Sequence, residues 1–327
     1  MFELILIFII GLVVGSFLNV VGLRLLSQED FITKRSKCPA CEKKIAWYDN
    51  IPILSYFLLR AKCRNCGEHI SIQYPIVELF TGILFVLVYY FWGLSFKTAF
   101  LLILVANLIV LTITDLREKV IFDLNSIPLI PIGLVYNFFD IGNHSMETVE
   151  FGGIPFNDVF ISAVLGAILG AVFFEFFSRL GYVVSGEYAF GGGDTLLGAA
   201  FGAWFGWKGL ALILILSLFI QVIVGIPVII YNFIKSREYP SLIAMGGLFF
   251  ALILSIIGRK VSYAGNFEIS LVLLILTFII GGISVFVIFK RMREKQNYTF
   301  MPFGPPMVAA GLIIMFLEDN ITLYLPF

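Results

Sequence analysis

Residues 97–115 read KTAFLLILVANLIVLTITD. Between Lys97 and Asp115 no residue is charged, and most side chains are Leu, Ile, Val, Ala or Phe. A helix that crosses a bilayer needs about 20 mainly apolar residues, because lipid offers its backbone no hydrogen-bond partners. This run meets that need, and it ends on a carboxylate. Outward from it the pattern recurs. Nine further apolar runs are read at 2–22, 76–93, 125–141, 157–177, 194–207, 209–233, 241–257, 269–289 and 303–318, giving about ten spans in all. The breaks near 93–96 and at 208 are so short that the helices on either side form tight hairpins. The run at 2–22 lacks a basic segment before it and a small-residue cleavage site after it, so it is read as a retained span.

Composition agrees. Of 327 residues, 60% are hydrophobic and 13% charged, with mean hydropathy +0.99. Soluble domains carry about 25% charged residues. A soluble globule, a disordered chain, a coiled coil and a disulfide scaffold are all excluded. The 22 basic and 22 acidic side chains cancel, and nothing in that balance calls for a nucleic-acid partner. The expected partner is the lipid bilayer.

The placement of Lys and Arg orients the spans. Eighteen of the 22 fall in 23–75, 115–124, 178–193, 234–240 and 290–302, leaving Lys97, Lys208, Arg259 and Lys260 on the other side. That bias places 23–75 in the cytoplasm and both termini outside, which requires an even span count. The stretch 142–156 reads as an external loop with Gly and Pro turns.

Within 23–75 stand Cys38-Pro-Ala-Cys41 and Cys63-Arg-Asn-Cys66. Two residues between cysteines let one turn aim both thiolates at a single ion, and Gly67 supplies a tight backbone after the second pair. Four thiolates facing a reducing compartment fit a closed structural Zn²⁺ site, which folds the loop and does no chemistry. Free thiols or two redox dithiols are the alternative. Between the pairs, Trp47 to Tyr56 mixes aromatic, turn and apolar residues. It suits either a membrane-hugging segment or a substrate contact.

Carboxylates at the ends of apolar runs are costly and tend to be functional. Asp115 closes one run, and Asp194 opens another in Phe190-Gly191-Gly192-Gly193-Asp194. The charge bias puts both at the cytoplasmic edge. Three glycines before Asp194 permit close approach of another segment, and the start of a helix complements its charge. Two carboxylates brought together share one proton. The charged member can activate water while the protonated one donates to a peptide carbonyl. Asp123, Asp158, Glu175 and Glu187 read as caps or interface charges. Glu78, just inside a span, pairs with a loop group or serves a second site.

These residues resemble a family, the bacterial type IV prepilin leader peptidases, which are membrane aspartyl proteases and N-methyltransferases. The resemblance runs through Gly11 to Val21 with Arg24, both cysteine pairs, Trp47 to Pro52, Tyr74 to Leu79, Thr114-Asp115-Leu116, Gly191 to Asp194, Gly202 to Gly206 and Pro302 to Pro305. It implies that Asp115 and Asp194 are the catalytic pair. The implied substrates are precursors of type IV pilins or type II secretion pseudopilins, cut after a Gly at the cytoplasmic face. It also implies methylation of the new N-terminus from S-adenosylmethionine, with the cysteine loop in the methylating half. Three features depart from the family. Phe122 stands where a Pro is usual, and Leu196 where a Lys is usual, which removes a turn constraint and a nearby cation. The family has eight spans against the ten read here.

The expected fold is an all-α polytopic membrane protein, a bundle of about 8–10 transmembrane helices with a small zinc-binding cytoplasmic loop domain. Its parts are 1–22, a first helix; 23–75, the tetracysteine loop; and 76–327, the peptidase membrane domain, with an extra hairpin within 209–289. A transporter binding ions at the two aspartates lacks the internal repeat that reading requires. An assembly scaffold gives no reason for the aspartate pattern. A peptidase without methylation is the nearer alternative.

Overall fold

The computed structural model describes residues 2–28, 36–139, 148–151, 154–186, 188–237, 239–263, 267–294 and 302–321. Helices dominate. They are α1 (Phe2–Ser27), α2 (Leu54–Leu58), α3 (Gln73–Trp92), α4 (Phe96–Glu118), α5 (Asp123–Ser126), α6 (Leu129–Phe138), α7 (Asp158–Ser185), α8 (Gly192–Lys235), α9 (Tyr239–Tyr263), α10 (Phe267–Glu294) and α11 (Gly304–Ile321). A 3₁₀ turn covers Trp47–Asn50. Among the described residues, α1, α3, α4, α7, α8, α9 and α10 are long and apolar enough to cross a membrane, and α11 holds a shorter apolar stretch.

Two readings of the sequence are refined. The stretch 125–141 is not one uninterrupted span: α5 is a single turn, and α6 follows Pro128 with ten residues. Proline at the start of a helix presets its φ but cannot continue the preceding hydrogen-bond ladder. Part of 142–156 is a hairpin, in which Thr148–Phe151 pairs antiparallel with Ile154–Asn157.

The chain forms two compact units. One comprises residues 1–180, 189–217 and 302–327, the other 181–188 and 218–301. In the second, Ser270 Oγ of α10 donates to the Gly258 carbonyl of α9 (3.0 Å), and Tyr182 stacks on Tyr188.

In the first unit α4 is the most enclosed span. Leu104, Val105, Leu108 and Leu111 are at most 1% exposed. Lipid tails are as apolar as leucine, so close helix contact relies on small residues instead. Gly11 and Gly15 of α1 provide it. A Cβ on Gly11 would stand 2.8 Å from the Gly82 Cα, and one on Gly15 would stand 2.9 Å from the Glu78 Cα. Glycines of α7 and α8 meet in the same way, Gly166 against Gly202 and Gly170 against Gly198.

The helical course of α8 is interrupted at Gly206, with φ 66° and ψ −178°. Only glycine tolerates that conformation readily. Gly206 lies against Ser162, whereas Leu210, Ala211 and Leu214 share an apolar groove with Leu169, Val172 and Phe173 of α7. The chain therefore turns back on itself at Gly206, as the short break at 208 requires. Asn137 of α6, 3% exposed, secures the turn by donating to the carbonyls of Ala203 (2.8 Å) and Trp204 (3.1 Å). Trp204 Nε1 returns a bond to the Leu129 carbonyl (2.8 Å).

Candidate active site and metal centre

Asp115 lies in the last turn of α4 and is 4% exposed. The helix ends four residues later at Lys119, whose left-handed backbone (φ 55°) lets its N–H bond the Asp115 carbonyl at 2.9 Å. Residues 119–122 then lead into α5, which Asn125 ties back to α4 through the Asn107 carbonyl (3.0 Å).

Asp194 lies in the first turn of α8. Its Oδ2 accepts the Gly191 N–H (3.0 Å), and its own N–H donates to the Gly191 carbonyl (3.1 Å). The chain on either side of the two aspartates comes together where Gly193, just before Asp194, meets Ile121, six residues after Asp115.

Three contacts hold this geometry. Gly193 packs directly on Ile121, joining the segment before Asp194 to the one after Asp115. Gly304, at the start of α11, lies against Asp115 Oδ2, where a Cβ would collide. That oxygen is buried and has no hydrogen-bond partner among the described residues. Finally, Ser178 Oγ of α7 donates to the Phe190 carbonyl (2.6 Å). The Phe190 ring meets Phe174 and Phe303, with centroids 5.1 and 5.6 Å away. One aromatic cluster thus fixes the approaches to Gly191 and to Gly304.

Two of the weaker candidates make local contacts. Glu175 pairs with Arg179 on an exposed helix face (2.7 Å), and Asp158 accepts its neighbour's N–H (2.8 Å). Asp123 is exposed. Glu187 lies outside the described residues.

The cysteine loop repeats one backbone design. Cys38 N–H bonds the Lys43 carbonyl (3.0 Å), and Cys63 N–H bonds the Glu68 carbonyl (2.7 Å). Glu42 (φ 54°) and Gly67 (φ 76°) hold the same left-handed position after each pair. All four sulfurs lie within 4.8 Å of one another, and Cys38 and Cys66 are 3.8 Å apart. A tetrahedral ion with bonds of about 2.3 Å to sulfur requires sulfur–sulfur edges of about 3.8 Å. The cluster fits such an ion. Backbone N–H groups of Cys66 and Asn65 lower the Cys63 thiol to about 7, while burial and the neighbouring Cys63, Cys41 and Cys38 side chains push Cys66 up to about 12.

Polar bonds join this loop to the spans. Glu78, 6% exposed in α3, accepts the Ile53 N–H (2.7 Å). Arg117 Nε, two residues beyond Asp115, donates to Gln73 Oε1 (2.8 Å), and Gln73 Nε2 reaches Asn19 Oδ1 of α1 (3.3 Å). The base of the loop and Asp115 therefore share one end of the bundle.

Comparison with known proteins decides the family. Residues 9–92 match the Bacterial Peptidase A24 N-terminal domain, and residues 102–226 match the Type IV leader peptidase family. The chain belongs to the type IV leader peptidase family. It is similar to the prepilin leader peptidase/N-methyltransferase of Neisseria gonorrhoeae, 34% identical over 269 residues, covering 74% of this chain and 88% of that protein. The one from Klebsiella pneumoniae is 36% identical over 217 residues, covering 64% and 88%. For the one from Myxococcus xanthus the figures are 36% over 219 residues, 67% of this chain and 61% of that protein. No solved structure matches the chain significantly.

Within this leader peptidase, Asp115 and Asp194 both fall in the second matched region, and the four cysteines, Glu78 and Gln73 in the first. Gly304 lies beyond both. Ile121, Ser178 and Gln73 carry no chemical signal of their own in sequence. Pro302 to Pro305 do form a legible motif, but only the fold brings Gly304 to Asp115.

Proposed function

We propose that this chain is a bifunctional prepilin peptidase. It removes the basic leader of type IV prepilins or type II secretion pseudopilins and then methylates the new N-terminal residue. The observation that supports the reading is the packing of Gly193 on Ile121, which lays the segment before Asp194 against the segment after Asp115.

In this reading the ionised aspartate takes a proton from water, and the resulting hydroxide attacks the carbonyl carbon of the last leader glycine. The protonated aspartate donates to the carbonyl oxygen. Collapse of the tetrahedral intermediate breaks the C–N bond, and the departing nitrogen receives a proton from the pair. Gly192, which faces open space, leaves room beside Asp194 for the substrate backbone.

Cys38, Cys41, Cys63 and Cys66 hold one Zn²⁺ that folds the loop. S-adenosylmethionine, when bound to the half of the chain that carries this loop, would supply the methyl group for the new N-terminal amine of the substrate. The protein sits in the inner membrane with its site at the cytoplasmic face and both termini outside. The parts 1–22, 23–75 and 76–327 act as first helix, zinc loop and peptidase domain. An added hairpin drawn from within 209–289, where α9 and most of α10 lie, gives ten spans. A peptidase without methylation is the second reading, since the methyl donor has no assigned residues.

The test is to incubate purified protein in lipid with a leader-bearing prepilin and labelled donor. Cleavage after the leader glycine with methyl transfer to the product is expected. Cleavage alone selects the second reading.

A further inference from the structure

The segment between the two cysteine pairs turns a set of apolar side chains outward. In α2, Leu54, Phe57 and Leu58 share one face at i, i+3 and i+4 and are 51%, 69% and 71% exposed, and nearby Trp47 is 80% exposed. Ser55 occupies a different side and is buried. Its hydroxyl donates to the Tyr48 carbonyl (3.0 Å) and accepts the Ile51 N–H (3.0 Å). These bonds fold the 3₁₀ turn onto α2 and leave Leu54, Phe57 and Leu58 outside.

The height of this segment follows from Glu78. It lies five residues into α3, about 7.5 Å along the helix axis at 1.5 Å per residue. Around it Ile76, Leu79 and Phe80 are 56%, 44% and 47% exposed, as lipid-facing side chains of a span are. Glu78 nevertheless reaches the Ile53 N–H, and α2 begins at the next residue. The loop backbone is thus tied at the level where lipid starts. Around it, residues 36–72 carry six basic side chains and three acidic ones, a balance that favours anionic headgroups.

We propose that residues 47–58 form an interfacial segment lying in the surface of the bilayer, with Trp47, Leu54, Phe57 and Leu58 in the boundary between headgroups and acyl chains. Short apolar faces flanked by basic residues bind at this depth. The segment holds the metal loop flat against the membrane beside the aspartates. The inference rests on the membrane reading alone and stands whether or not the chain cleaves prepilins.

The test reads tryptophan depth in vesicles containing anionic phospholipid. The Trp47 contribution is the difference between the native protein and W47F. It should be quenched by lipid brominated high on the acyl chain, less by lipid brominated near the chain end, and little by dissolved iodide. A second probe, F57W, should behave alike, and both variants should keep their metal. Quenching by iodide with none by brominated lipid would place the segment in water and overturn the proposal. Shielding from both would also overturn it, and would point to a protein partner or a second copy on this face.

Discussion

Gly193 lies so close to Ile121 that a Cβ on the glycine would stand 2.5 Å from the Ile121 Cβ and 2.8 Å from its carbonyl oxygen. Of the three glycines before Asp194, this one alone is forced by a neighbouring segment. Gly192 faces open space, and a Cβ on Gly191 would meet only Asp194 Oδ2 at 3.6 Å. The contact brings the chain before one aspartate onto the chain after the other.

Gly193→Ala should therefore separate the aspartates while leaving the bundle folded. A misplacement of about 1 Å can cost about a hundredfold in rate, and a loss of that order in leader cleavage is expected. Gly192→Ala should cleave almost normally. Parallel assays of cleavage and folded fraction check the contrast. Equal effects at both positions would remove the role given to Gly193.

Gly304→Ala tests the third side of the site. The added methyl would press on Asp115 Oδ2, while α11 gains helix propensity from the change. The expected result is a large fall in cleavage with thermal stability nearly retained.

Metal content tests the cysteine loop. Four thiolates at these distances should hold about one Zn²⁺ per chain. Replacing Cys38 and Cys63 by Ser should abolish binding and make residues 36–72 sensitive to protease, with the helices still folded. Metal retained by the double variant would show that the ion sits elsewhere.

Orientation can be read with an impermeant thiol reagent on intact cells. The native cysteines should be protected, whereas a cysteine replacing Lys208, exposed after the Gly206 turn, should be labelled. The reverse pattern would move the site to the outer face.

Much of this was legible in the sequence for a physical reason: lipid forces long apolar helices, so the long apolar runs announce themselves. Asp115 and Asp194 stand out because charge at the end of such a run is rare. The cysteine pairs stand out because their spacing suits one ion. What stayed hidden depends on contact between segments far apart in the chain. Nothing in Ile121 announces that it seats Gly193, and nothing in Gly304 announces Asp115. Glu78 was legible as a charge just inside a span that pairs with a loop group or serves a second site, but not that it accepts the Ile53 N–H. The break at Ile127 and Pro128 was obscured because the run 125–141 is mainly apolar, whatever its backbone does.

The most direct test of the account is leader cleavage by D115N and D194N, purified in lipid and assayed on a prepilin alongside their folded fraction and zinc content. Asparagine keeps the shape of each side chain and removes the proton exchange that hydrolysis requires. Both variants should fold, hold zinc and fail to cleave, and both should still methylate a substrate already lacking its leader. Near-normal cleavage by well-folded D194N would contradict the assignment of the aspartate pair.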